Sequence, residues 1–158
     1  MKNFRTSAIC VCIMLYSLCA TAQNNNPIPV NEPDLNKPKL FQGLPDNIPV
    51  SLDNLNGLIN GQPGLAVSLS LSATGPLHFE GEVVSAASKY GNSIQSVVIR
   101  STNFNGARFT ISKITGEDGT TMYRGRILSL QHGDLYELQN KNGNYSLVKK
   151  NFYDLVNE

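Results

Sequence analysis

Beyond residue 19 this chain has no cysteine, it carries only two histidines, proline stops at Pro76, and no apolar run is long enough to cross a bilayer. Each shortage removes a class of function. Cys10, Cys12 and Cys19 lie in the N-terminal segment, so the remainder can support neither thiol catalysis nor a thiolate metal site, and no disulfide can staple it. His78 and His132 have no partner at the i, i+4 spacing that a zinc site built on a helix needs. Neither the G-x-x-x-x-G-K-[ST] nor the G-x-G-x-x-G phosphate loop occurs, there is no G-x-S-x-G nucleophile elbow, and no D-x-D-x-D-G calcium loop is present. No cofactor is expected. A parallel α/β sheet would need crossover helices, and the patterning has none.

The N-terminus is well marked. Lys2 and Arg5 precede the apolar run Ala8 to Leu18, and Ala20-Thr21-Ala22 stands directly before Gln23. A positive start, a short apolar stretch and an A-x-A site form the pattern of a cleavable secretory signal peptide, here residues 1–22. A membrane span needs about 20 apolar residues, nearly twice this run. Lipidation at Cys19 is disfavoured by the bulky Leu18 before it. The expected location is therefore secreted or periplasmic.

Removing 22 of the 158 residues leaves 136, enough for one domain with a real core. The whole chain has 13 basic and 12 acidic residues; without Lys2 and Arg5 there are 11 against 12, a net charge of −1. Nucleic-acid binding draws most of its affinity from a concentrated basic face, which this balance does not supply. No nucleic-acid partner is expected, and no stable membrane insertion after cleavage.

Seven of the eight prolines fall between Pro27 and Pro63. Each lacks an N–H and restricts its predecessor, so residues 23–39 read as a Pro/Asn-rich linker ahead of a single β-rich domain over 40–158. Leu52, Leu55, Leu58 and Ile59 fall at helical spacing behind Ser51 and Asp53, either of which suits an N-cap. One short helix is expected there.

From Gly64 the period changes to two. Leu65, Val67, Leu69 and Leu71 alternate with small residues, and Leu77, Phe79, Gly81 and Val83 share a face. Further strands read at Ile94–Ser101, Arg108–Ser112, Thr121–Ser129, Leu135–Gln139 and Tyr145–Lys149. Thr74-Gly75-Pro76, Asn105-Gly106, Asp118-Gly119, His132-Gly133-Asp134 and Asn142-Gly143 supply the turns, and Phe152 to Val156 a last half-strand or helical turn. The expectation is all-β: an antiparallel meander of about seven strands closing as a small barrel or sandwich. Phe79-Glu80-Gly81-Glu82-Val83 and Tyr123-Arg124-Gly125-Arg126-Ile127 share one form, in which an inward glycine lets a ring or a crossing strand approach.

Catalytic candidates are few. His132 and Asp134 flank a turn and suit a general-base pair, but no serine is marked as nucleophile. Glu80 and Glu82 share one strand face, whereas glycosidase acids come from separate elements around a cleft. Arg100, Arg108, Arg124 and Arg126, with Lys113, are expected on the polar faces of neighbouring strands, with Tyr90, Phe104, Tyr136 and Tyr153 near turns. Arginine with tyrosine is favoured interface chemistry. The binding set is thus Arg100, Arg108, Arg124, Arg126 and Tyr136.

Ser96-Val97-Val98-Ile99-Arg100-Ser101, Asn105-Gly106-Ala107-Arg108, Tyr123-Arg124-Gly125-Arg126-Ile127 and His132-Gly133-Asp134 make the half of the chain from Phe79 to Glu158 resemble a type of short secreted protein of Bacteroidota, a resemblance that implies no particular activity. Phe79-x-Gly81-x-Val83, Ser96-Val97-Val98-Ile99, Gly125-x-Ile127 and Tyr136-x-Leu138 are similar to the N-terminal prodomain of reprolysin-type metallopeptidases, a β-rich inhibitory module. The chain departs from that pattern by having no H-E-x-x-H and no cysteine to block a zinc. The leading expectation is a non-enzymatic binding module for an unknown protein. The alternatives are a peptidase inhibitor or prodomain-like regulator acting on a secreted peptidase, and a hydrolase using His132 and Asp134.

Overall fold

Short alternating segments joined by tight turns pair with their sequence neighbours, and in the computed structural model, which describes residues 34–71 and 78–155, they do so throughout. Eight antiparallel strands form one sheet: β1 (Asn47–Val50), β2 (Ala66–Ser70), β3 (His78–Lys89), β4 (Ile94–Ser101), β5 (Arg108–Thr115), β6 (Thr121–Leu128), β7 (Asp134–Lys141) and β8 (Asn144–Asn151). Their order is β1-β8-β7-β6-β5-β4-β3-β2, a meander whose first strand returns beside the last. The sheet curls into a half-barrel, leaving β1 and β2 as edges, so the sandwich alternative is not realised. The signal segment, most of the linker and the turn at residues 74–76 lie outside the described residues.

Inside the curl sits α1 (Leu52–Ile59). Its N-cap Ser51 accepts the Asn54 N–H at 3.2 Å, and Leu55, Leu58 and Ile59 are buried against the sheet. Tyr123 Oη donates to Asn56 Oδ1, tying α1 to β6. The inner face of the sheet supplies Phe79, Val83, Val97, Ile99, Phe109, Ile111, Ile127, Tyr136 and Leu147.

The remaining gap is closed by residues 34–46, which run along β7 and β8 as a strap. Phe41, fully buried, packs its ring 5.0 Å from Tyr136 and 5.5 Å from Phe104. Asp134 accepts the Leu40 and Phe41 N–H groups at 2.7 and 2.9 Å, Gly133 N–H reaches Pro38 O at 3.0 Å, and Asp34 N–H reaches Tyr153 Oη at 2.7 Å. Residues 34–39, read from their prolines as the end of a linker, are held by these bonds. Composition carries no information about partners about 100 residues downstream.

Two further differences have local causes. β1 has no signature in the sequence, because it has four residues and contains Pro49, which demotes any strand reading. β3 runs on to Lys89 after a bulge between Val83 and Ser85, through an Ala-Ala-Ser-Lys stretch of low strand propensity. Gly81 and Gly125 behave as their shared motif implies: a Cβ on Gly81 would stand 2.6 Å from Arg100 O, and one on Gly125 2.9 Å from Thr110 O.

Candidate functional site

Residues directly opposite one another in an antiparallel ladder point to the same face. The register therefore places Glu82, Arg100, Arg108 and Leu128 in one row across the convex face of β3–β6. The next row is Ser85, Val98, Thr110, Arg126 and Glu137, and the third is Ala87, Ser96, Ser112 and Arg124. Lys89, Ile94, Ile114 and Met122 complete the face toward the hairpin tips. With strands about 4.8 Å apart and same-face residues about 7 Å apart, the four arginines fit within roughly 17 Å.

On β4, β5 and β6 this face has a pronounced chemistry. It presents Arg100, Arg108, Arg124 and Arg126, the hydroxyls of Ser96, Thr110 and Ser112, and the apolar Ile94, Val98, Ile114, Met122 and Leu128, with no carboxylate among them. Ser96 and Ser112, at the centre of the patch, share a hydrogen bond at 2.7 Å. Met122 is 45 % exposed.

Carboxylates stand only at its margins. Glu82 on β3 meets Arg100 at 3.6 Å, an exposed ion pair of little energetic weight. Glu137 on β7 is opposite Arg126 in register, but its carboxylate is bound by Lys150 at 2.8 Å. That Lys150 hydrogen bond is the main cause holding the Glu137 carboxyl below the usual carboxylate range; burial opposes it, and Gln139 and Arg126 add smaller contributions. Arg108 and Arg124 face Leu128 and Ser112 and have no ion pair among the described residues.

The four arginines expected to share a face do share it. Two other residues grouped with them do not. Tyr136 is wholly buried: it pairs with Ile127 in the inner row, its ring packs on Phe41, and its hydroxyl donates to Pro45 O at 2.5 Å. Burial, with the Asp46 and Asp134 charges, pushes its phenol above the ordinary tyrosine value. Lys113 pairs with Tyr123 and so belongs to the opposite face from Arg124. Nearness to a turn does not make Tyr136 exposed, and a place on a strand rich in polar residues does not put Lys113 on the arginine face; the register decides both. Tyr90, at 77 % exposure, is open to solvent at the β3–β4 tip.

His132 and Asp134 do not form a pair. Both carboxylate oxygens of Asp134 take backbone N–H groups of the strap, and His132 Nδ1 lies 2.8 Å from Oγ of Ser129, a buried residue. Among the described residues no three or more His, Cys, Asp or Glu gather as metal ligands, and no helix is long and apolar enough to cross a membrane. No protein-family model, curated protein or solved structure matches this chain.

Proposed function

We propose that the chain is an exported, non-enzymatic binding module that engages a partner protein through the convex face of β4–β6. The observation that carries this reading is the composition of that face: four arginines, three hydroxyls and five apolar side chains with no carboxylate, in a chain whose overall charge is close to zero. Arginine and apolar side chains without lysine are enriched at protein interfaces, and the apolar half, Ile94, Ile114 and Met122 above all, gives a polyanion nothing to bind. The complementary surface is acidic, with an apolar end that meets Ile94, Ile114 and Met122.

The test is capture by the immobilised protein from the exported fraction, run in parallel with Arg108→Ser/Arg124→Ser/Arg126→Ser. The triple variant should keep its melting temperature and bind the captured partner at least about 100-fold more weakly. Equal capture by both proteins, or no capture together with turnover of a substrate by the purified chain, overturns the reading. A secreted peptidase in the bound fraction, inhibited by the wild type and spared by the variant, would make the module a peptidase regulator.

A further inference from the structure

The two edges of the sheet are not alike. Lys149 N–H donates to Asp46 O at 2.8 Å, so by the alternation of antiparallel bonds Ile48 and Val50 face β8 and Pro49 faces outward, where it has no N–H to offer. β1 is thus short and blunted. At the other edge Gly64, at φ +90°, and Leu65 form a bulge opposite Val83: Gly64 N–H donates to Val83 O at 2.8 Å and Val83 N–H to Leu65 O at 2.9 Å. The same alternation turns Val67 and Leu69 toward β3 and leaves the backbone groups of Ala66 and Ser68 directed away from the sheet. Both residues are exposed.

Edges of this kind are ordinarily protected by charge, proline or a bulge along their length. After the bulge β2 has none of these, and no charged residue occurs between Asp53 and His78. Leu65 beside it is 52 % exposed.

We infer that β2 pairs antiparallel with β2 of a second copy of this chain. With Val67 on the two-fold axis, Ala66 and Ser68 of each copy exchange four backbone hydrogen bonds with Ser68 and Ala66 of the other. On the inner face Val67 meets its own counterpart, and the exposed Leu65 lies opposite Leu69 of the second copy. On the outer face only alanine and serine meet. Every cross-strand pair is apolar or small and uncharged, so self-pairing meets no like-charge repulsion and covers the exposed leucine. A second copy is the occupant whose side chains match in this way without any further assumption, and an isologous contact of this kind closes on itself rather than propagating.

The contact is small, so the dimer is a weak one, with a dissociation constant in roughly the 10–1000 µM range. Sedimentation equilibrium of the purified full chain, loaded up to roughly 1 mM, should show a concentration-dependent monomer–dimer equilibrium. Ser68→Lys, an outward-facing change at an edge position, should keep the melting temperature and weaken association at least about tenfold. Independently, in a chain with Cys10, Cys12 and Cys19 changed to Ser, Val67→Cys places two thiols across the axis in a non-hydrogen-bonded pair, about 4.5 Å between Cα atoms, and should oxidise to a covalent dimer that the same chain with Val67 retained has no thiol to form. A monomer throughout the range, an association that Ser68→Lys leaves unchanged, or a Val67→Cys chain that stays monomeric under oxidising conditions overturns the inference.

Discussion

Asp134 shows how far a side chain's role can lie from its sequence neighbourhood. Two residues from His132 it suggests a catalytic dyad, yet its oxygens bind the amides of Leu40 and Phe41, 94 and 93 residues upstream. No local pattern encodes that. Removing the carboxylate leaves two N–H donors, one of them buried, without partners, so Asp134→Ala should cost about 2–3 kcal/mol in urea unfolding, and Asp134→Asn, which retains one acceptor, about half of that. His132→Ala removes only the bond to Ser129 and should cost less than about 1 kcal/mol. Glu137 makes a second, pH-dependent contribution. Its folded pKa is depressed chiefly by Lys150, so the stability it confers is present above the ordinary glutamate value of 4.5 and is lost as pH falls through the lower folded value. Denaturation midpoints between pH 7 and pH 3 should fall for the wild type, and fall less steeply for Glu137→Gln.

At the scale of elements, legibility followed locality. The hairpins β5–β6 and β7–β8 were readable because Asp118-Gly119 and Asn142-Gly143 announce turns between alternating runs, and Asn142 and Gly143 take φ of 54° and 87° in a two-residue turn. The helix was readable from Ser51 and the spacing of Leu55, Leu58 and Ile59. β1 and the strap were not, since what orders them is the far end of the chain. Glycine substitutions separate the two kinds of constraint. Gly57 lies exposed in α1 with nothing within 4 Å of a built Cβ, so Gly57→Ala should raise stability by about 0.5–1 kcal/mol through helix propensity alone. Gly81→Ala should lower it by about 2 kcal/mol or more, because a Cβ 2.6 Å from Arg100 O forces β3 away from β4. Thermal or urea unfolding of the two variants reads both signs; a neutral Gly81→Ala would mean that the strand crossing is not as tight as the geometry requires.

For the whole molecule, the order of assembly follows from the same division. The pairings from β2 through β8 join strands adjacent in sequence, so their loops are short and closing them costs little chain entropy. The β1–β8 pairing joins Asn47 to Val148, and the strap binds Asp134 across more than 90 residues. The inner face of a meander formed without the strap still lacks Phe41, whose ring closes the aromatic cluster of Tyr136, Phe104, Phe79 and Phe109. Contacts that close the longest loops form after the local sheet is in place, and a contact absent from the transition state acts on unfolding rather than folding. Phe41→Ala removes a fully buried ring and should cost about 3–5 kcal/mol. In stopped-flow chevrons that loss should fall on the unfolding limb, accelerating unfolding about 100-fold or more while folding changes by less than about threefold. A comparable slowing of the folding limb would place the strap in the nucleus and make closure of the β1–β8 end an early event, reversing the order that the topology implies.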